Sequence, residues 1–253
     1  MPRDLQLLRL GRPIEEGTRW PRPTCAACRA GHLKFGEPEY FENGQSWQRR
    51  QGHDDWEPDW IFGTFRVDAV CENDDCKQTV VAVGKYEIGF AEERIEEASY
   101  SAFYRVEYLS PALPLLQMPD GTPKEVQGGV LRASSLLFAD PGAAATALRA
   151  AVERYLTTAG ISRTKKGGGF ASLADRIELW RNAAEGREKV AGLLTAIRWI
   201  GNAGTHEMSD LTVEDVLDGV EFLDEAFHSL FVGPDIDARA QAINTAKGPP
   251  RTP

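Results

Sequence analysis

Hydrophobic and polar positions change their spacing near Pro123. Before it, apolar and polar residues alternate in short runs such as 62–70 and 79–88, which predicts strands. After it, apolar residues recur every three or four positions as far as Phe231, which predicts helices. The chain is therefore expected to have an α+β fold, with an amino-terminal β module followed by an all-α bundle.

Helix-breaking residues divide the second half. Asp140-Pro141 ends one helix, and both residues suit the start of the next as its cap and first position. Gly160 marks the end of that next helix, and Thr212 is a suitable cap for the start of the last one. Five helices are predicted, at 124–139, 141–160, 172–184, 188–204 and 213–231. Short loops between them predict a helical bundle.

Composition shifts set the remaining boundaries. Four prolines between 104 and 123 exclude a helix there, so this stretch is expected to be extended. We predict a segment at 1–19, a zinc-ribbon-like β module at 20–103, a Pro-rich connector at 104–123, the bundle at 124–233 and a flexible tail at 234–253.

Composition limits the class of protein. The chain has 253 residues, of which 42% are hydrophobic and 26% charged, as in soluble globular proteins. No apolar run approaches the roughly 18 residues that span a membrane, and no signal peptide is evident. We therefore expect a cytoplasmic protein without a membrane partner.

Charge is distributed in blocks. The net charge of −9 argues against non-specific coating of nucleic acid by the whole molecule. Residues 142–206, however, hold ten Lys or Arg against five Asp or Glu, whereas 207–237 hold ten acids and neither Lys nor Arg. A polyanion would contact the basic block, unless these charges only solvate helix faces.

The four cysteines have the spacing of a metal site. Cys25 and Cys28 form a C-x2-C pair, and Cys71 and Cys76 form a longer C-x4-C pair. Two such turns can present four thiolates to one structural Zn²⁺, the predicted cofactor. Four free thiols or two disulfides are the alternatives, although disulfides are unusual without an export signal. His32 and His53 could replace a thiol in the ligand set, but because four thiols are already available they are interpreted as surface or loop residues.

Five aromatic residues lie in the first half of the sequence of this module. We expect its side chains to complete the core of the ribbon, and a stacking surface for bases or a partner is the alternative. The group consists of Tyr40, Phe41, Trp47, Trp56 and Trp60.

The segment IRWIGNAGTHE contains two glycines within a helical pattern, each of which costs about 1 kcal/mol relative to alanine. Arg198, Asn202 and His206 follow one another at intervals of four and flank an apolar stripe, so they are expected to face one groove. Arg, Asn and His together suit a phosphodiester. Alternatively, Asn202 and His206 cap or pack the helix end.

These residues carry a family resemblance. ADPGAAATALRAAVERYL, SLADRI, IRWIGNAGTHE and the acidic last helix resemble the helical domain known as "domain of unknown function 4145", in which a cysteine-knuckle module commonly precedes the bundle. That family is similar to the HEPN superfamily of prokaryotic toxin, antiphage and restriction systems. The resemblance implies a HEPN-like bundle and a homodimer.

The resemblance also implies site residues. Active HEPN ribonucleases are metal-independent and use an Arg, a following polar residue and a His, which correspond to Gly201, Asn202 and His206 here. Because Gly201 replaces the Arg, Arg198 one turn earlier is the candidate substitute. Glu153 matches a polar position that supports the site in relatives.

Three functions are therefore weighed. The first is a binding component of a prokaryotic defence or restriction-type system that contacts RNA or DNA, or a protein partner of that system. Its nucleic-acid contacts would be Arg149, Arg163, Lys165, Lys166 and Arg198. The second is a metal-independent endoribonuclease that uses Arg198, Asn202, His206 and Glu153. The third is a non-catalytic dimerisation scaffold.

Overall fold

The computed structural model describes residues 4–91, 100–205 and 211–246. Contacts divide them into two compact units. The sheet unit extends to Leu113 and also includes Ser134–Asp140, and the helical unit contains Pro114–Ala133 and the residues from Pro141 onward. An α+β architecture is thus confirmed.

The sheet unit is built on six antiparallel strands in one sheet. The sheet order is β1-β6-β5-β4-β2, and β3 also pairs with β4. The predicted strands at 62–70 and 79–88 are confirmed as β4 and β5. The strands are β1 (Ile14–Glu15), β2 (Leu33–Phe35), β3 (Glu39–Glu42), β4 (Phe62–Cys71), β5 (Thr79–Phe90) and β6 (Tyr100–Ser110).

One face of the sheet is apolar and curls inward. Along β4, Phe65, Val67 and Ala69 are buried and their neighbours are exposed, as expected for a period of two. Trp20 lies over this face, with its ring centroid 5.1 Å from that of Phe35 and 6.0 Å from that of Tyr104. These rings form a core within the unit.

The sheet is more extensive than the module predicted at 20–103. Ile14 of β1 pairs with Tyr104 of β6, so residues assigned to the amino-terminal segment and to the connector complete the sheet. The reason is that a strand's partner can lie anywhere in the sequence, and alternation within β6 does not indicate its partner. Only the residues after Ser110 leave the sheet.

Two helices in the sheet unit were not predicted: α1 (Leu5–Leu10) and α2 (Gly44–Gln51). Both are short and are stabilised at the amino end by side-chain caps from Asp4 and Asn43. Their brevity leaves too few apolar positions to reveal a helical period.

Among the described residues after the sheet there are six helices. The five predicted helices are confirmed within a few residues at their ends. They are α3 (Lys124–Leu136), α4 (Pro141–Thr158), α5 (Leu173–Asn182), α6 (Glu188–Ala203) and α7 (Val213–Phe231). No helix in the described ranges is long and apolar enough to cross a membrane.

The sixth helix, α8 (Gly233–Ala246), differs from the flexible tail expected there. Its sequence, GPDIDARAQAINTA, is rich in Ala and contains Arg and Gln, all of which favour helix. The prediction of a tail relied on small and polar composition and overlooked this propensity.

The helical unit packs α6 against both α4 and α7. Leu148, Val152 and Leu156 of α4 are buried with Leu194 and Ile197 of α6. Tyr155 adds aromatic contacts, with its ring 5.9 Å from that of Trp180 and 5.8 Å from that of Phe227. The apolar stripe predicted for α6 is therefore the face that packs in the core.

Candidate metal centre and helix groove

The four cysteines meet at one corner of the sheet. Their sulfur atoms all lie within 4.8 Å of one another. The Sγ atoms of Cys25 and Cys76 are 3.8 Å apart, and those of Cys28 and Cys71 are 3.6 Å apart. Both distances are far longer than the roughly 2.05 Å of a disulfide bond. The four thiols can hold a metal ion.

Two similar turns bring the thiols together. Each pair is followed by a residue in the left-handed region, Arg29 with φ 56° and Lys77 with φ 50°. Backbone hydrogen bonds close both turns, from the Cys25 N–H to the Gly31 carbonyl at 2.9 Å and from the Cys71 N–H to the Gln78 carbonyl at 2.8 Å. The turns thus direct both pairs to the same point.

Gly31 lies between the two turns. A β-carbon at residue 31 would lie 2.8 Å from the Cys71 sulfur and 3.0 Å from the Asn73 nitrogen, closer than a real β-carbon approaches either atom. Glycine is therefore required here by the close approach of the two turns.

The thiols differ in acidity. Burial raises the pKa of the Cys71 thiol to about 12, although the Asn73 N–H donates to its sulfur at 3.4 Å. Burial also acts to raise the pKa of Cys28, but the backbone N–H groups of Ala30 and Gly31 outweigh it and lower that pKa to about 6. Cys28 is thus more readily ionised than Cys71 before a metal binds.

The two histidines weighed as ligands have other surroundings. His32 is exposed, and the ring of His53 packs edge-on against Trp60 at a centroid distance of 5.0 Å. Among the described residues, neither belongs to the cluster of four thiols.

The aromatic group near the cysteines is mainly exposed. Tyr40, Phe41, Trp47 and Trp56 have exposed fractions of 41–58%, so the expectation that they complete the core is wrong for these four. Trp60 is half-buried, and the Arg49 guanidinium lies 4.2 Å from its ring centroid. The reason is that the curled sheet already has Trp20, Phe65 and Tyr104 inside.

The second candidate site is the crossing of α4 and α6. A β-carbon at Gly201 would lie 2.4 Å from the Cβ of Arg149, and one at Gly204 would lie 2.3 Å from the Gly142 carbonyl oxygen. The glycines of IRWIGNAGTHE therefore let two helix backbones approach closely. We call this crossing, with the polar residues beside it, the helix groove.

Polar residues of the predicted site flank the groove. Arg149, half-buried, forms an ion pair with Glu153 one turn later on α4, at 3.4 Å. Arg198, also half-buried, lies over the Trp199 ring with its guanidinium carbon 3.9 Å from the centroid. Asn202 follows on the next turn of α6 and is half-buried.

Two guanidinium groups on these two helices have unused donors. The Nε atoms of Arg149 and Arg198 are buried and, like the Nε of Arg176 on α5, have no hydrogen-bond partner among the described residues. His206, the third member of the predicted constellation, lies outside the described residues. The structure therefore describes Arg149, Glu153, Arg198 and Asn202 beside the groove.

The remaining predicted cations lie on the loop between α4 and α5. Arg163, Lys165 and Lys166 are exposed, and Lys165 pairs with Asp175 at 3.0 Å. A bridge between Thr164 and Phe170 closes this loop into a tight turn. Phe170 beside them is 76% exposed.

One important charged residue was missed by sequence reasoning. Arg176, in SLADRI, is 2% exposed, and its Nη2 donates to the carbonyls of Glu153 and Ile161 and to the hydroxyl of Thr157 at 2.8–3.1 Å. Burial lowers the pKa of this guanidinium. The buried face of α5, with Leu173, Ile177 and Trp180, is the signal that could have placed Arg176 inside.

Comparisons with known proteins agree with the two-part organisation. A family model described as "Domain of unknown function (DUF8608)" matches residues 15–113, which contain all six strands apart from one residue of β1. No curated protein and no solved structure matches the chain. The family model described as "Domain of unknown function (DUF4145)" matches residues 131–246, which confirms the resemblance of the helical half to that family.

Proposed function

We propose that the protein binds RNA, with the helix groove and the neighbouring cationic loop holding phosphates. The observation that carries the proposal is the pair of half-buried guanidinium groups, Arg149 and Arg198, whose buried Nε atoms have no partner among the described residues. A buried donor without an acceptor is costly, and a phosphate supplies the acceptor together with the opposite charge.

The position of Arg149 compensates for a departure in the motif. In the HEPN-like pattern an Arg precedes the polar residue, but Gly201 precedes Asn202 here. The Arg149 side chain covers Gly201, with its Cδ 3.1 Å from where the residue's β-carbon would be. Arg149 from α4 therefore brings a guanidinium to the site that Gly201 leaves without one, and Arg198 adds a second from the preceding turn.

The loop between α4 and α5 extends the cationic surface. Arg163, Lys165 and Lys166 are exposed at the end of α4, and the exposed Phe170 ring stands in the same turn. Cationic side chains interleaved with an exposed aromatic ring are typical of surfaces that bind single strands. This arrangement favours a single strand over a rigid duplex.

Salt dependence and charge removal test the proposal. We expect the affinity for a labelled single-stranded RNA to fall steeply between 50 and 200 mM salt. Removing two exposed phosphate contacts with Arg163→Ala and Lys166→Ala should reduce the slope of log affinity against log salt by about 1 for each cation. Lys189→Ala, an exposed cation paired with Glu225, is the matched control and should change nothing.

The same binding measurement with duplex DNA tests whether the protein prefers single-stranded RNA to a duplex. RNA affinity that is flat across the salt range, or equal in the variant and the control, would contradict the proposal.

A second candidate is a metal-independent endoribonuclease. It is favoured by the ion pair between Arg149 and Glu153 on α4, because Arg149 packs against Gly201, the residue that precedes Asn202 on α6. Arg149 or Arg198 would stabilise the phosphorane, Asn202 would position the phosphate, and His206 would protonate the leaving oxygen. Cleavage in EDTA by wild type but not by His206→Ala, with cyclic-phosphate ends, would support it.

The setting we propose is a prokaryotic defence or restriction-type system, because the resemblance to HEPN-like domains supports it. The homodimer and a protein partner within such a system stay predictions. Light scattering of the purified chain measures the first of these directly, and a monomeric mass would contradict it.

We also propose Zn²⁺ as the ion of the cysteine cluster. Four sulfurs about 2.3 Å from a tetrahedral zinc stand about 3.8 Å apart. The two closest sulfur pairs, at 3.6 and 3.8 Å, have this spacing. Four thiolates leave no open position, so the role is structural. Elemental analysis of freshly purified protein should give one zinc per chain.

A further inference from the structure

The sheet unit contains an open cavity of about 330 Å³ that none of the foregoing functions uses. Its wall comes from the chain after β1, from β2 and the link to β3, and from Tyr104 of β6. Trp20 and Phe35, whose rings stack with centroids 5.1 Å apart, form part of this wall. Cavities of this size accept small organic ligands.

Aromatic rings form much of the wall. Trp20, Phe35, Tyr40 and Tyr104 line the cavity. Behind them, the Tyr86 ring stacks on Tyr40 with a centroid distance of 4.6 Å and an interplanar angle of 12°. Tyr40 is 55% exposed, so its ring stands at the mouth with a second ring already stacked on one face. Such a surface suits a flat ligand.

A tyrosine of the sheet core belongs to the same wall. Tyr104 is 2% exposed as a residue and lines the cavity. Burial raises its pKa to about 12, and the nearby charges of Glu16 and Glu37 contribute to the rise. Both carboxylates also line the cavity, so the hydroxyl and two acceptors lie around one space. A polar ligand in the cavity can form a hydrogen bond with this hydroxyl.

Charges of both signs narrow the ligand class. Arg19 and Lys34 are exposed cations in the wall, opposite in sign to Glu16 and Glu37. A simple organic cation would be repelled by Arg19 and Lys34, and a simple anion would be repelled by Glu16 and Glu37. A flat ring with hydrogen-bond donors and an attached anion matches both pairs.

We propose that this cavity binds a nucleobase together with its phosphate. The base stacks on Tyr40, an amino group of the base donates to Glu16 or Glu37, and Arg19 and Lys34 hold the phosphate. Because the acceptors are carboxylates, bases that carry an exocyclic amino group bind better than uracil. The nucleotide is either free or part of a strand, and in the second case the inference rests on the proposed RNA binding and extends it.

Neighbouring residues of β3 give a matched pair of variants. Tyr40 points into the cavity, whereas Phe41 lies on the opposite face of the same strand and is 58% exposed. Loss of one stacked base corresponds to a roughly 5- to 100-fold weaker affinity. We expect this for Tyr40→Ala and no change for Phe41→Ala. Tyr104→Phe removes only the hydroxyl and should weaken binding by about 3- to 10-fold.

The experiment is isothermal titration calorimetry of the full chain. The ligands are AMP, GMP, CMP and UMP and a five-nucleotide RNA. Mononucleotide binding that depends on Tyr40 and disfavours UMP supports a free nucleotide as the ligand. Binding of the RNA alone, with the same dependence on Tyr40, supports a base within a strand. Binding that is equal in wild type and Tyr40→Ala, or no binding of any probe, overturns the inference.

The two proposals fail separately. RNA binding that survives Tyr40→Ala but is lost on removal of Arg163 and Lys166, together with no Tyr40-dependent binding of a mononucleotide, overturns the cavity site and leaves the helix groove. Nucleotide binding that is lost in Tyr40→Ala, without any salt-dependent RNA binding, supports the cavity and contradicts the proposed function.

Discussion

Gly201 of α6 lies directly against Arg149 of α4, and a β-carbon at residue 201 would be only 2.4 Å from the Arg149 Cβ. The Ala145 carbonyl oxygen would be 3.0 Å away on the same side. Neither neighbour is the flexible end of a side chain, so a larger residue at 201 must separate the helices. The contact links the stability of the helical unit to the position of the Arg149 guanidinium.

Gly201→Ala should therefore destabilise the helical unit by about 1–3 kcal/mol despite the better helix propensity of alanine. RNA affinity should fall as well, because Arg149 is displaced. Gly192→Ala is the control on the same helix, where a β-carbon meets nothing within 4 Å, and it should stabilise by up to about 1 kcal/mol. Chemical denaturation of both variants measures the difference, and equal effects would contradict the close packing.

Gly31→Ala should weaken metal binding without removing a thiol. A β-carbon at residue 31 would lie 2.8 Å from the Cys71 sulfur, so the two cysteine turns must separate. We expect the zinc content to drop well below that of Gly44→Ala, where a β-carbon has open space. Elemental analysis after mild dialysis against a chelator compares the two. Equal zinc in both variants would show that the turns tolerate separation.

Arg176→Met should lower the free energy of unfolding of the helical unit by about 1–3 kcal/mol, because the buried acceptors at the end of α4 lose their donor. Arg181→Ala, which removes an exposed guanidinium paired with Glu178 on the same helix, should cost less than about 0.5 kcal/mol. Thermal or urea unfolding followed by circular dichroism tests both, and similar losses would argue against a structural role for Arg176.

Stability of the helical unit should depend on the ionisation of Asp175. Hydrogen bonds from Lys165 and Ser172 hold the pKa of this carboxyl below its usual value of 3.8. A lowered folded-state pKa stabilises the fold above the unfolded-state pKa, and this contribution disappears as the pH falls through the folded-state pKa. Wild type should therefore exceed Asp175→Asn in stability at neutral pH, and the difference should shrink as the pH falls below about 4.

Urea unfolding of both proteins between pH 2.5 and 7 measures this difference. Ser172→Ala removes the other half of the capping box and should cost about 0.5–2 kcal/mol at neutral pH. A difference between wild type and Asp175→Asn that stays constant across the pH range would contradict the assigned cause.

Local patterns were sufficient for much of the fold. The periodicity of 188–204 predicted α6 and its buried stripe, and Ser172 and Thr212 predicted the starts of α5 and α7. These features depend on contacts within one or two helical turns, so neighbouring residues encode them. The spacing of the four cysteines likewise predicted a cluster, since each turn forms locally.

Contacts between residues that are far apart in the sequence were determined only by the tertiary structure. The residues 201 and 149 meet only because α4 and α6 cross at glycines, and Tyr104 faces Glu16 and Glu37 only because β1 and β6 pair in a curled sheet. The exposure of Tyr40 and Phe41 also depended on which other aromatic rings occupy the core of the sheet unit. A sequence determines periodicity and turns by short-range sterics, whereas strand partners and helix crossings depend on packing across the whole unit.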